Sequence, residues 1–535
     1  MTRTIAIIIF YMALISFTCL NITIAAFNEQ IATDAKAMSL GNAVTANPPG
    51  IMSIHYNPAG LSRIEHDITY SVGLSSTAVS FKGNYTADPD FSGFIGGFTA
   101  EEAEGQGDTR GISHIPFTDE FISTMLTPQY GLSYRKKDSK WTFALGGYEP
   151  FSLGWEQTGK NNPGIYDGAT VVHQHFIYAA PSFSYKVSPK LSFGFSLGLG
   201  TSYHKNQLNI RVPSDAAALT FVLGQDTEGV EVPILESMVL PTPWFGGGIK
   251  PYESMGQLII EAESYLSPSF NLGALWSPSD WLSTGIVYQS EIKSKIDGNF
   301  SFKISDNMSK MMDWFNYADP AAIEEAFGYR NLPMVANNQS GRCKSYITQP
   351  QRVQAGFKIK PTNKLSCMID FHWANWSSIR QSRYTFDKKV SFLQFAQQLG
   401  YRYNENTLII ERKLKDTFHY SLGIEYSVLK WLTLRCGYEK RPTSVEDEYF
   451  DLMYPVTELD AYGAGFGLIL NSGVLIDIGL SYMDGGTFTV KNGKSMNLNS
   501  SDWTKPIYSP YAGLYYKQKS EIISYALKVT VPISL

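Results

Sequence analysis

In the last sixteen residues of this 535-residue chain, SEIISYALKVTVPISL, apolar side chains fall on every second position. Ile523, Tyr525, Leu527, Val529, Val531, Ile533 and Leu535 share one face; Ser524, Ala526, Lys528, Thr530, Pro532 and Ser534 share the other. A period of two is the signature of a β-strand, because successive side chains point to opposite faces of the backbone. The same alternation runs through Leu191 to Gly200, Val353 to Ile359, Leu365 to Trp373 and Phe418 to Tyr426. A soluble sandwich also alternates. Here, however, the second face carries Gly, Ser and ionisable groups over many successive strands, and short turns such as SYKVSPKL and KIKPTNKL join neighbours. That combination predicts strands with one face in hydrocarbon and the other in a polar interior, an all-β transmembrane antiparallel barrel.

Bulk properties agree with this reading. Mean hydropathy is −0.14, a value that resembles a soluble protein but is also the average of lipid-facing and lumen-facing residues. The chain holds 32 Tyr, 31 Phe and 45 Gly against 17% charged residues, which favours strands over helices. With a net charge of −5 and a pI near 6.0, nothing points to nucleic acid as a partner. The N-terminus combines Arg3, an apolar run from Ile5 to Leu20 and small residues at Ala25 and Ala26, the pattern of a secretory signal peptide cleaved after one of these two alanines. That apolar run is shorter than the ~20 residues a spanning helix needs. Cys343, Cys367 and Cys436 then remain, too few and too scattered for a disulfide framework or a metal site.

Residues 91–127, 204–265 and 300–348 are too long for hairpin turns and carry helix signals, as expected of the outer loops of a barrel. Ser214 or Asp215 is placed to cap a helix that Gly224 ends; Asp319, Pro320 and Gly328 occupy N-cap, N1 and C′ positions of another. Met308, Met311, Met312 and Phe315 lie on one face of a third helix, suited either to accepting apolar ligands or to packing within the loop.

Three motifs suggest chemistry and fail on context. Gly194-Phe-Ser196-Leu-Gly198 matches a nucleophile elbow, yet it continues in uninterrupted alternation where a strained turn and a helix are required. Gly463 to Gly467 is glycine-rich without the helix of a dinucleotide site. His173 and His175 lack a third ligand nearby. No catalytic residue, cofactor or metal is expected, and the chain does not read as an enzyme.

Taken in order, the motifs resemble the FadL-type long-chain fatty acid transporters of Gram-negative outer membranes, across essentially the whole mature chain. AFNEQIATDAKAMSLGNAVTANPPGIMSIHYNPAGLSRI is similar to the family's N-terminal hatch with its Asn-Pro-Ala motif, here Asn57-Pro58-Ala59. YQSEIKSKIDGNFSF, DFHWANWSSI, YEPFSLGWE and LKDTFHYSLGIEYSVLKWLTLRCGYEKRP resemble further family segments, although Gln289 stands where the family has Arg and Leu535 where it usually has Phe. The resemblance implies a signal peptide at 1–25, a hatch at 26–64 plugging the lumen, and a barrel of about 14 strands with helical extracellular loops at 65–535.

It also implies a function: passive uptake of long-chain fatty acids or similar hydrophobic molecules, by a monomer set among outer-membrane lipid and lipopolysaccharide. Basic residues at the positions where the family holds a carboxylate head are Arg211 and either Arg412 or Lys413. Gly146, Gly147 and Pro150 interrupt a strand pattern, as at a bulge or ladder break, and fall where the family's third strand kinks to form a lateral opening. A shift of the hatch near Phe27 to Gln30 would then release the ligand sideways. The alternatives are a channel for monoaromatic hydrocarbons and, from another class, an outer-membrane barrel lipid hydrolase.

Overall fold

The computed structural model describes residues 33–159, 162, 164–211, 214–229, 233–235, 238–318, 321, 338–398, 404–446, 450, 452–455, 457–490 and 513–533. The chain forms a closed antiparallel barrel of 14 strands. In chain order these are β1 (Ile68–Ala87), β2 in two pieces (Gly105–Gly111 and Met125–Tyr134), β3 (Trp141–Thr158), β4 (Thr170–Ala179 and Ser182–Ser188) and β5 (Leu191–Ile210). Next come β6 (Gly256–Ser279), β7 (Leu282–Gln289 and Ile292–Ile304), β8 (Asn338–Gln349 and Arg352–Ile359) and β9 (Leu365–Ala374 and Gln381–Phe386). The wall is completed by β10 (Thr407–Glu411 and Thr417–Leu429), β11 (Leu432–Arg441), β12 (Leu459–Ile469), β13 (Leu475–Val490) and β14 (Leu514–Ile533). Each pairs with the next. β14 then closes on β1 in an unbroken register from Ile68 opposite Ile533 to Ala87 opposite Leu514.

The two-residue period decides the faces. On β14, Tyr525 and Leu527 are exposed on the outer wall, whereas Ser524, Ala526 and Lys528 are buried inside. Among the described residues no helix is long and apolar enough to cross a membrane; the crossing is made by strands. β5 runs to Ile210 and β6 begins at Gly256, so strand consumes both ends of the long segment anticipated between them.

The segment ahead of β1 is enclosed by the barrel. It folds as α1 (Ala35–Ser39), a 3-10 turn at Gly50–Met52, α2 (Ser53–Tyr56) and a 3-10 turn at Pro58–Arg63. Strands from all round the wall bond to it. Gln129 of β2 donates to the Thr33 carbonyl (3.2 Å), Asn271 of β6 to that of Ile54 (2.9 Å), and Lys528 of β14 to the Asp34 carboxylate (2.6 Å). Asp370 of β9 accepts from the Thr45 amide at 2.6 Å, and Glu439 of β11 from the Asn42 side chain at 3.2 Å.

Asn57 explains why a turn follows the apolar run: its Oδ1 accepts from the Ala59 amide (3.2 Å), Pro58 takes the first helical position, and its Nδ2 donates to the carbonyls of Thr45 (3.0 Å) and Ala274 (3.2 Å). Glycines on the inner face let the backbones touch. A Cβ at Gly194 would lie 2.2 Å from the Pro58 carbonyl carbon, and one at Gly437 would lie 2.0 Å from that of Leu40.

Two loop helices match their sequence signals. Ser214 caps α3 (Asp215–Asp226) by accepting from the Ala217 amide at 3.4 Å. Gly224 does not end this helix; it lies inside, where a Cβ would come 2.5 Å from Gly247. In α4 (Asp306–Tyr317), Met308, Met311 and Met312 are buried against Phe245, Leu240 and Trp314, so these methionines pack the loop itself. Residues 1–25, Phe27 to Gln30, Asp319, Pro320, Gly328 and Leu535 lie outside the described residues.

Candidate functional site

A cavity of about 1020 Å³ occupies the part of the barrel where β7, β8, β9 and β10 are each interrupted. That is at the upper end of the range for small-molecule sites, roughly 300–1,000 Å³. β4 and β5 contribute His173 and His204, β9 contributes Tyr384, and Arg412 enters just after the first piece of β10. The Arg412 guanidinium is held on three sides: Nε donates to Ser382 Oγ (3.2 Å), Nη2 approaches Met453 Sδ (3.1 Å), and Cζ lies 4.7 Å from the Tyr454 ring centroid. Tyr384 is fixed by His204 Nε2 and by Asn206 Nδ2, each 3.0 Å from its hydroxyl. Tyr384 and Met453 also belong to an apolar cluster with Phe300, Phe386, Leu408 and Leu393, so a cation stands at the edge of an oily region. A planar guanidinium beside apolar surface suits a carboxylate attached to a hydrocarbon tail.

The basic candidates separate. Arg412 lines the cavity and is buried. Lys413, the next residue, has φ of 40° and extends to an exposed pair with Glu411 at 3.3 Å. Arg211 is buried elsewhere, with Nη1 3.4 Å from the Tyr252 carbonyl oxygen and Cζ 5.5 Å from that ring; it is not among the residues lining the cavity.

The third strand loses its ladder to β4 at the glycines and again just beyond them: pairing with β4 stops at Ala144 opposite Ser182 and resumes at Tyr148 opposite Ile177. On the β2 side Gly146 pairs with Gly131 and Gly147 with Tyr130 in regular ladder, where added Cβ atoms would strike Ile54 and the Tyr130 ring. Register is lost between Tyr148 and Phe151, across Glu149 and Pro150, because proline has no N–H to give the ladder. A small cavity of about 40 Å³ lies between this break and the enclosed segment, touched by Tyr148, Pro150 and His55. Burial pushes the His55 imidazole down to about 3, so the ring is neutral there. The excursion at 112–124, between the pieces of β2, is anchored nearby. The His114 ring stacks on Tyr203 at 3.6 Å, its amide donates to Gln174 Oε1 (2.7 Å), and Gln174 Nε2 donates to Glu149 (2.9 Å).

Sequence patterns alone did not single out Tyr384, Arg380 or Arg383 for this cavity. The two arginines in SSIRQSRYTF, set where alternation lapses after Trp376, are the signal that could have found it. His173 was noted as a metal candidate and faces the cavity instead; His175 bonds Ser202 Oγ at 2.8 Å, and no cluster of three metal-type side chains occurs among the described residues. Ser196 sits in mid-strand within β5 and accepts a hydrogen bond from Ser182 at 2.8 Å, a geometry that has no elbow.

The geometry defines a membrane-spanning barrel whose leading segment lies inside the lumen beside a large cavity. Residues 21–531 match the family model for outer membrane protein transport proteins (OMPP1/FadL/TodX), and the chain belongs to that family of outer-membrane transporters of hydrophobic compounds. The fold is similar to that of a Pseudomonas aeruginosa FadL homologue, at 15% identity, with a TM-score of 0.64 over 95% of this chain and 99% of that one. It is also similar to the Pseudomonas putida toluene transporter TodX (13% identity, TM-score 0.58, 95% and 100% covered) and to the Ralstonia pickettii toluene transporter TbuX (13%, 0.55, 93% and 98%). No curated protein matches the chain by sequence.

Proposed function

We propose that this transporter carries long-chain fatty acids, or similar amphiphiles with an anionic head, inward across the outer membrane without an energy source. The observation that carries the reading is Arg412, buried in the cavity wall beside the apolar cluster of Phe300, Phe386 and Leu408. A tail of ~15 methylenes gains roughly 12 kcal/mol on leaving water, at about 0.8 kcal/mol each, and so needs only an apolar path and one cation to set its polarity. Residues 26–64 act as the hatch and the ligand leaves sideways past Gly146, Gly147 and the break at Pro150. Motion of the hatch opens the small cavity at His55 toward that break.

A neutral monoaromatic substrate, as named for the two toluene transporters, has no use for a buried guanidinium, since its transfer is apolar throughout. The test is uptake of labelled oleate and of toluene by cells whose own long-chain fatty acid transporter is deleted. Import of oleate through the intact chain, and its loss in Arg412→Glu, supports the reading; import of toluene alone refutes it.

A further inference from the structure

β8 and β9 part company in the middle of the wall. Below, they pair from Arg352–Ala374 to Ile359–Cys367; above, from Cys343–Phe386 to Ser345–Tyr384, with the Asp387 amide donating to the Arg342 carbonyl at 3.0 Å. The last bond on the lower side joins the Asn375 amide to the Gln351 carbonyl at 3.1 Å. Between these limits residues 346–350 face residues 376–383, and among the described residues no backbone hydrogen bond crosses the seam. Both margins stay attached on their far sides, 346–349 to β7 and 381–385 to β10. The causes are local. Pro350 has no N–H to offer, Trp376–Ser378 turns as a 3-10 helix, and the Arg380 carbonyl accepts from the amides of Arg412 (2.8 Å) and Lys413 (3.0 Å) on the β10 side.

The large cavity passes through this seam. A cavity against one face of a strand touches alternate residues only. Here Lys344, Ser345, Tyr346, Ile347 and Thr348 all line it, although Ser345 points inward and is buried while Tyr346 points outward at 62% exposure. Its cationic lining is Lys295, Lys344, Arg380, Arg383 and Arg412, with no carboxylate among the described lining residues; Asp297 on β7 pairs with Lys344 at 3.6 Å. The seam sits where the outer surface changes character. Below it the outward residues are Ile286, Val353, Phe357 and Trp373; level with it and above are Lys293, Lys295, Lys344 and Arg383. That is the boundary between hydrocarbon and headgroups on the outer side.

We infer that the β8–β9 seam is a lateral entrance, through which an anionic amphiphile already dissolved in the outer leaflet slides head-first past the cationic rim to Arg412. The inference rests on the proposed substrate class and adds a route into the barrel from the lipid. Entry from the leaflet keeps the tail out of water throughout, while the rim replaces the headgroup's counter-ions.

The test closes the seam. In a chain with Cys343, Cys367 and Cys436 replaced by alanine, Thr348→Cys and Ser378→Cys are bridged in intact cells by a bifunctional thiol reagent with a reducible spacer. Closure is checked by mass spectrometry and folding by heat-modifiable migration. Loss of most oleate uptake on bridging, restored by reduction, is expected; a matching loss is expected in the exposed-rim double variant Arg380→Glu, Arg383→Glu, which needs no reagent. A diazirine-bearing oleate photolysed in outer-membrane vesicles is expected to label Tyr346. Oleate uptake unchanged by both bridging and charge reversal overturns the entrance and leaves the proposed substrate standing. An intact chain that imports toluene but not oleate overturns both.

Discussion

Removing the Asp34 carboxylate should release the leading segment while leaving the barrel intact. Asp34 is fully buried and does two things at once: Oδ1 caps α1, accepting from the amides of Lys36 (2.9 Å) and Ala37 (3.2 Å), and Oδ2 receives the Lys528 ammonium at 2.6 Å. Lys528 lies also 3.4 Å from Asp477, which is bound by Arg435 at 2.7 Å; Arg435 in turn reaches Glu425 at 2.8 Å. The wall thus offers an ordered line of charges in which the segment's only described carboxylate that joins is Asp34. In Asp34→Ala the lost cap costs about 1 kcal/mol. Breaking a buried pair from one side costs about 3–5 kcal/mol, and Asp477 retains part of that by staying with Lys528. A net local loss of about 3–4 kcal/mol corresponds to opening of the segment roughly 10²–10³ times more often. Asp34→Asn keeps the cap and loses the ion pair, so its effect should be smaller by the capping share, about fivefold.

The assay is amide hydrogen exchange followed by mass spectrometry on the barrel in lipid. Peptides from 35–47 should exchange faster by those factors, with the β1–β14 ladder as protected as before. Unchanged exchange in 35–47, or acceleration spread equally over the ladder, would refute the picture of a local latch.

Other outcomes follow from the same geometry. Arg412→Ala should weaken oleate binding by about 1.5–3 kcal/mol, the worth of a charge-assisted hydrogen bond, with toluene unaffected and Lys413→Ala silent; titration of both variants with a fluorescent fatty acid reads this. Gly194→Val places side-chain atoms where the Pro58 backbone runs, so the segment must be displaced at about 1–3 kcal/mol, visible as raised ion conductance in planar bilayers. Because burial depresses the His55 imidazole from its ordinary 6.5 to about 3, the opened segment binds the extra proton, and this residue's contribution to the segment's stability falls as pH drops from 6.5 toward 3 and is flat above. The slope should be about 1.4 kcal/mol per pH unit in that window and absent in His55→Gln, measured as a ratio of exchange rates between the two proteins.

Much of this molecule was legible along the chain because a barrel strand writes its two environments into alternate residues. The outward Ile523, Tyr525 and Leu527 and the inward Lys528 could be placed before any coordinates, and so could a helix cap at Ser214 or Asp215, which the structure assigns to Ser214, and the turn at Asn57. Glycines on the polar face, at 194 and 437, were visible as a composition and became intelligible only once backbone from residues 40 and 58 was seen against them. The Met-bearing face of α4 left two uses open, and burial against Phe245 and Trp314 chose the structural one. Gly146, Gly147 and Pro150 marked the strand where pairing with β4 lapses at 145–147 and register shifts across 149–150, since glycine weakens a ladder while proline removes a bond from it.

Residue order alone was enough to show that this chain crosses a membrane by strands and encloses a polar lumen, because side-chain direction along a strand is a local property of two successive residues. Which arginine meets the large cavity, and where the wall comes apart, depends on how distant strands meet in three dimensions. His204 and Tyr384 come from two different strands and Arg412 from the break between the two pieces of β10, and the seam at 346–350 exists only as a mismatch with 376–383 across a pairing that neither stretch specifies on its own.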